Sequence, residues 1–348
     1  MENANLKIGY VPYSSDMSFP GDRRRFAYYA KKARINFELA NFDKEYDILI
    51  LTQAADLSIW SNYKSQKTKI IYDFVDSYLS INKSEIKGLL RGLAKFITRK
   101  HKYLRLNYWK TLEAMCLRAD AVVCVTDDQK SYIKPFCNNV QIILDAQDEE
   151  VKRVKSDYEV KKIINIVWEG MAGNIYQVLQ LKNVFSELEK KYDIALHFIT
   201  DLEYYHYAGV YGKRITEDIV NGLCKNVHIY EWDQKTFSDI VCSCDIAVIP
   251  IDLNNPLTKG KPENKLLLFW RMGMPTITSA TTTYSLAMKK AGIDLTCYDN
   301  DDWFIALEKC ILDEDYRRSV GINGKRFADS EYSDEMIYQQ WDSLISTL

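Results

Sequence analysis

The chain has 348 residues, 47% of them hydrophobic, with 46 Lys and Arg against 48 Asp and Glu. That length suits two domains of common size, and the hydrophobic share excludes a disordered chain. A net charge of −2 offers no basic field for nucleic acid.

"LKIGYVP" (6–12) reads as a first strand. Residues 22–40, "DRRRFAYYAKKARINFELA", have the apolar spacing of one amphipathic helix. "YDILILT" (46–52) and "KIIYDFV" (69–75) are the next strands, and a long helical stretch is predicted over 84–118. "DAVVCVT" (120–126) and "VQIIL" (140–144) follow as strands. Strands this apolar are covered on both faces, so the alternation implies a parallel sheet flanked by helices. The charged stretch 148–162 lacks a strong apolar pattern and reads as a domain boundary. The same order then restarts. Strands are predicted at 163–170, 194–200, 226–232, 245–251, 275–280 and 294–298. Helices are predicted over 175–192, near 303–313 and over 314–328, and "DEMIYQQWDSLIST" (334–347) is a terminal helix. The expected organisation is one α/β domain at 1–155, a second at 156–330, and a closing helix within 331–348. Two open α/β units predict a cleft. Their ligands lie beyond the carboxyl ends of the strands, so every polar loop after a strand is a candidate.

Several chemistries drop out. No G-x-G-x-x-G follows the first strand and no P-loop appears. The eight cysteines show no C-x-x-C pair, and His101, His197, His206 and His228 form no set, so no metal site is expected. The cysteines lie mostly in apolar segments and read as buried residues of a reducing compartment. "MENANLKIGYVP" has no signal-peptide pattern, and no apolar run is long enough to span a bilayer. The expected location is therefore the cytoplasm or the inner membrane surface.

Two stretches of the second half point to an anion site. "WEGMAGN" (168–174) leaves a strand and enters a helix, with Gly170, Gly173 and Asn174 at the turn. Small residues admit a ligand to the backbone, and the free N–H groups of a helix start suit phosphate; an ordinary tight turn would look the same. "KGKPENKLLLFWRMGMPTITS" (259–279) reads as polar loop, helix, stop at Pro275 and buried strand. Lys261 and Lys265 add charge where the helix begins.

With "NVHIYEWDQKTFSDIVCSCDIAVIPID" before it, "NKLLLFWRMGMPTITS" resembles the donor half of GT-B glycosyltransferases of the retaining "group 1" kind. The order of elements fits along nearly the whole chain, the specific match over about twenty residues. The resemblance implies two Rossmann-like domains facing a cleft, with the terminal helix crossing back to the first. It also implies transfer of a sugar from a nucleotide-sugar donor to a growing surface glycan, free or lipid-linked. Lys265 aligns with the family's diphosphate-binding lysine, with Asn264 and Lys261 beside it. No metal or other cofactor is then required, since cations and helix N–H groups meet the charge growing on the leaving diphosphate. The pattern departs from the family at its pair of glutamates. Gly260 and Leu268 stand there, and leucine cannot accept hydrogen bonds from ribose hydroxyls. Glu263, on the same loop, is either a substitute or simply an exposed acid. "KPENK … GMP … TTTYS" resembles a surface-polysaccharide variant and brings in Tyr284, as cleft lining or as packing. Glu231 and Trp232 fall where the nucleotide base is expected; a tryptophan at a strand end also reads as core.

In the first half, "FPGDRRRF" (19–26) gives Asp22 as a helix cap and Arg23, Arg24 and Arg25 against the helix dipole. Such cations favour a nearby anion, read as an acidic or phosphate-bearing acceptor, or face solvent. "YDFVDSY" (72–78) puts Asp73 and Asp76 at a strand end. Both are candidates for acceptor hydroxyls, and Asp76, by its later position, for a catalytic base; capping the next helix is the other reading. Residues 83–110 form a basic amphipathic stretch suited to an anionic membrane surface, or simply a solvated helix face. Two rivals share the scaffold: a nucleotide-sugar epimerase, and a catalytically silent glycan-binding subunit.

Overall fold

The computed structural model describes residues 6–65, 67–79, 84–205, 212–255, 258 and 260–348. Lys83, His206 and Lys259 lie outside the described residues. The chain divides into two compact units, Met1–Ala146 with Asp334–Leu348, and Gln147–Ser333.

Unit 1 contains β1 (Ile8–Val11), α1 (Pro20–Arg24), α2 (Phe26–Ala33), β2 (Glu38–Leu39), β3 (Ile48–Thr52), α3 (Leu57–Trp60) and β4 (Lys69–Asp73). It continues with α4 (Glu85–Ile97), α5 (Tyr108–Arg118), β5 (Ala121–Cys124), α6 (Asp127–Ile133) and β6 (Val140–Ile142). The sheet order is β2-β1-β3-β4-β5-β6, parallel throughout. Alternate residues of a strand face opposite sides, and "ILILT" is apolar on both. Ile48 and Ile50 join Ile8, Tyr10, Ile71 and Val123 on one side. Leu49 and Leu51 join Ile70, Tyr72, Val122 and Met115 on the other. The terminal helix (Asp334–Ser346) covers the first side with Ile337, Trp341, Leu344 and Ile345. The Trp341 ring meets Phe26 at 6.0 Å, and the Tyr29 hydroxyl donates to Asp342 at 2.9 Å. The last helix in sequence thus completes the core of the first unit.

Unit 2 runs β7 (Ile164–Glu169), α7 (Tyr176–Leu179), α8 (Lys182–Leu188), β8 (Ile194–Thr200), β9 (Glu203–Tyr205), β10 (Lys213–Ile215), α9 (Thr216–Val220) and β11 (Asn226–Glu231). Then come α10 (Phe237–Ser243), β12 (Ile246–Ile249), α11 (Asn264–Arg271), β13 (Thr276–Ser279), α12 (Thr282–Ala291), β14 (Thr296–Cys297), α13 (Asn300–Leu312) and α14 (Glu314–Glu331). Its sheet is also parallel, in the order β11-β8-β7-β12-β13-β14. All eight cysteines are buried and unbridged. No described helix is long and apolar enough to cross a membrane.

Three predicted helices change. The helix of 22–40 is two helices, broken at Arg25 (φ −122°, ψ −125°) and ended by left-handed Arg34, after which β2 begins. The stretch 84–118 is also two helices, α4 and α5, with Asn107 capping the second. The helix of 175–192 is interrupted between α7 and α8. The β9–β10 hairpin carried no sequence signal. In the first case Arg25 pairs with Asp73, and in the second Asn107 caps the new helix; apolar periodicity registers neither. α11 also ends before Pro275, at Arg271: Gly273 adopts φ 72° and donates to the Trp270 carbonyl at 2.8 Å.

Candidate functional site

In unit 2 the parallel register brings the strand ends to one edge. Glu169 lies opposite Ile199, Glu231 opposite Thr200, and Ile249 opposite Thr278. The loops leaving there are tied down by side chains. Asp201 accepts from the Ala172 N–H at 3.1 Å, and Ser279 from the Ile251 N–H at 2.8 Å. The Gln177 side-chain oxygen accepts from the Asp252 N–H. The Thr283 hydroxyl donates to the Lys261 carbonyl at 2.8 Å, and the Gln147 amide to the Asn264 carbonyl at 2.7 Å. The loop entering α11 is therefore held on both sides of Glu263.

Lys265, in the first turn of α11, reaches the end of β7. Its ammonium donates to the Glu169 carbonyl and lies 3.6 Å from the Glu169 carboxylate and 5.1 Å from the centre of the Trp168 ring. Gly170 makes the approach possible, since a Cβ there would sit 2.7 Å from the Lys265 nitrogen and 2.9 Å from the Trp168 ring. A Cβ on Gly173 would touch nothing within 4 Å, so that glycine answers no steric demand. Asn174 accepts from the Lys261 ammonium at 3.3 Å. Two lysines, an asparagine and a backbone opened by glycine thus meet at the N-terminus of an eight-residue helix. Backbone N–H groups and ammonium groups in one place are suited to a polyanion.

The remaining candidates of this unit sit around that centre. Glu263 is the residue before α11; its side chain makes no cap and accepts from the Tyr332 hydroxyl at 3.3 Å. Tyr284 is buried, and its phenol is pushed up by burial first and then by the charges of Glu263 and Glu169. Leu268 is buried in the core. Glu231 is exposed at the end of edge strand β11. Trp232 is half-buried, its N–H bonded to the Thr200 carbonyl at 3.1 Å. Two strand spacings separate β11 from β7, roughly 10 Å. Trp168, Glu169, Gln147 and Thr283 escaped the sequence reading; only Glu169, an acid at a strand end before a glycine, carried a usable signal.

The candidates of unit 1 are distributed differently. Arg25 and Asp73 meet each other. The Arg25 Nε and Nη2 donate to the Asp73 carboxylate at 2.7–3.0 Å, and Nη1 donates to the Ile143 carbonyl and to Asp145. Both side chains are buried. Burial alone would loosen the Arg25 proton, but the Asp73 and Asp145 charges more than offset it and hold the guanidinium charged. Arg23 donates to the Ser18 carbonyl at 3.0 Å, and the Arg24 carbonyl accepts from the Ala146 N–H. Asp22 does not cap the helix. It is buried inside α1, accepting from the Tyr10 hydroxyl at 2.6 Å and from the N–H groups of Tyr13 and Ser14. Asp76 is exposed and exchanges two hydrogen bonds with the Gln53 side chain, at 2.7 and 2.8 Å. Among the described residues, no group of three His, Cys, Asp or Glu is placed to hold a metal ion.

No family model matches this sequence, and no curated protein matches it. Its structure, however, is similar to solved glycosyltransferases along nearly the whole chain. The Anabaena protein Alr3699/HepE, solved with UDP and glucose, superposes with a TM-score of 0.64 at 10% identity over 99% of this chain and 100% of that one. Sucrose-phosphate synthase from Thermosynechococcus elongatus gives 0.60 at 12% identity, over 92% and 75%. WaaG, a glycosyltransferase involved in lipopolysaccharide biosynthesis, gives 0.57 at 10% identity, over 97% and 99%. The chain has the GT-B fold, with the terminal helix packed on the N-terminal unit.

Proposed function

We propose that the protein is a glycosyltransferase that takes a sugar from a nucleotide-sugar donor and adds it to a growing glycan of the surface-polysaccharide kind. The observation that carries this reading is the Lys265 ammonium lying over Gly170 at the start of α11. In this reading the donor diphosphate binds there, with Lys261, Asn264 and Asn174 around it, and the base lies toward Glu231 and Trp232. Glu263 takes the donor hydroxyls in place of the family's acid at the Leu268 position.

The chemistry follows from charge. The bond between the anomeric carbon and the diphosphate breaks, and its electron pair stays on the phosphate oxygen. The Lys265 cation and the first N–H groups of α11 stabilise that oxygen most as the bond opens. The acceptor hydroxyl forms the new bond, and its proton leaves to the departing phosphate oxygen if configuration is retained, which the resemblance to the retaining group 1 kind favours. Asp76 is an exposed carboxylate just beyond the end of β4, and it takes that proton if configuration inverts. Arg23 and Arg24 are the cations for an acidic acceptor, while the Arg25–Asp73 pair anchors the end of the helix that carries them. No metal enters this scheme, because the lysines meet the diphosphate charge.

The test is titration of nucleoside diphosphates and their sugars into the wild type and Lys265→Ala. Loss of a charge-assisted contact of about 1.5–3 kcal/mol lowers affinity roughly tenfold to a hundredfold. Equal affinity in both proteins removes the reading. The replacement of the glutamate pair by Gly260 and buried Leu268 supports a second reading, a silent binding subunit. It predicts donor binding without release of nucleoside diphosphate for any acceptor. An epimerase on this scaffold would instead change the donor sugar with no acceptor present.

A further inference from the structure

Helix α4 is amphipathic in the wrong sense for a soluble domain. Ile86, Leu90, Leu93 and Ile97 recur at i, i+4, i+7 and i+11 and form one apolar stripe. That stripe should face the core. Instead Ile86, Leu90 and Ile97 are 72%, 60% and 75% exposed, and Leu89 and Phe96 beside them are exposed too. The inward face is made of Gly88 and Gly92. A Cβ on Gly92 would fall 1.8 Å from the Arg105 carbonyl oxygen, and one on Gly88 2.9 Å from the Trp109 ring. The helix therefore lies flush on α5 and on the loop that joins the two helices through its glycines. Cations complete that face, with the Arg91 guanidinium 4.7 Å from the Tyr78 ring centre and the Lys95 ammonium 5.2 Å from that of Tyr108.

The loop after α4 extends the same surface. The Lys102 N–H donates to Asp56 at 2.7 Å, and Arg105 to the Ser58 carbonyl at 2.6 Å, which fixes the loop on unit 1. Tyr103, Leu104 and Leu106 remain exposed on it, next to exposed Arg99, Lys100 and Lys102. Residues 84–110 hold eight Lys and Arg against one acid, Glu85, although the whole chain carries only −2.

We infer that α4 and the loop to residue 106 dock on the surface of an anionic lipid bilayer, with Ile86, Leu90 and Ile97 inserted among the acyl chains. Apolar side chains turned outward and flanked by cations are what an interfacial helix presents. A second copy of the chain fits poorly, because a symmetric pairing would set one basic surface against another. The inference stands apart from the transferase reading, since it requires neither donor nor acceptor.

Co-sedimentation of the full chain with vesicles tests it. The protein binds phosphatidylglycerol–phosphatidylcholine vesicles and not phosphatidylcholine alone, and binding weakens as salt rises. Arg99→Gln with Lys100→Gln lowers partitioning about thirtyfold, from about fivefold per cation near a charged surface. Ile86→Ser with Leu90→Ser and Ile97→Ser abolishes the binding that remains at high salt, with the melting temperature unchanged, because these side chains are already in water. Absence of binding to anionic vesicles, or equal binding to neutral ones, overturns the inference. So does a dimer in sedimentation velocity that the triple serine variant disperses, which would assign the surface to a second copy. None of these outcomes touches nucleotide binding, which is measured without vesicles.

Discussion

Each unit has a cation next to a strand end and beside a carboxylate, and the two cations do different work. In unit 1, Arg25 makes a forked pair with Asp73 at 2.7 Å, and the side chains are 1% and 2% exposed. In unit 2, Lys265 is 3.6 Å from the Glu169 carboxylate, and the exposures are 26% and 12%. A buried, bidentate pair is fully used within the chain, and its removal leaves an uncompensated charge. The Lys265 contacts at the mouth of a strand stay partly open to solvent, over a glycine that keeps the space open. The lesson is that burial separates the two: a cation at a strand end is a ligand-site candidate only where it still faces solvent.

The largest expected effect breaks the comparison at its rigid end. Arg25→Ala leaves Asp73 buried and should cost about 3–5 kcal/mol in urea unfolding, whereas Lys265→Ala should cost less than about 1 kcal/mol. Equal losses in the two variants would show that both pairs are structural.

Next comes a buried titratable group that lacks what Arg25 has. His101 is buried with neither ring nitrogen hydrogen-bonded, and burial, helped by Lys95, lowers its pKa to about 4. The unfolded chain then binds more protons than the folded one between about pH 6.5 and 4. Stability should fall as pH drops through that window, by up to about 1.4 kcal/mol per unit, and His101→Leu should flatten the slope. His197, also lowered to about 4 mainly by burial, keeps part of it. A slope unchanged by His101→Leu would place the acid sensitivity elsewhere.

Gly170→Ala tests the open end directly. The added methyl meets the Lys265 nitrogen and the Trp168 ring, a clash of about 1–3 kcal/mol unless they shift. Nucleoside diphosphate affinity should drop about tenfold, while Gly173→Ala, with nothing in its way, should bind as the wild type does. The reverse order of the two alanines would move the site toward Gly173. The smallest effect is expected for Tyr332→Phe, which frees Glu263 from its hydroxyl partner. Stability should change by about 1 kcal/mol or less, and nucleotide-sugar affinity by a few-fold. If affinity for the sugar nucleotide and for the bare diphosphate falls equally, Glu263 has no part in holding the sugar.

By itself, the sequence determined what depends on local pattern. Runs such as "ILILT" and "AVVC" are apolar on both faces, so they had to be strands of a covered parallel sheet, and their alternation with helices dictated two α/β units. "NKLLLFWRMG" carried Lys265 at a helix start in its spacing alone, and "WEG" placed Gly170 at a strand end. Tertiary structure alone decided the partners. That Arg25 meets Asp73, 48 positions away, and that Lys265 crosses to Glu169, 96 positions away, depends on how strands are ordered in each sheet. No local pattern records that order. The same holds for α4: its sequence shows an apolar stripe, but which face packs was settled by the glycines that fit against Trp109 and Arg105. Periodicity names the face of a helix, and only the packed neighbours decide whether that face turns inward, because burial is a property of the surface opposite and not of the helix.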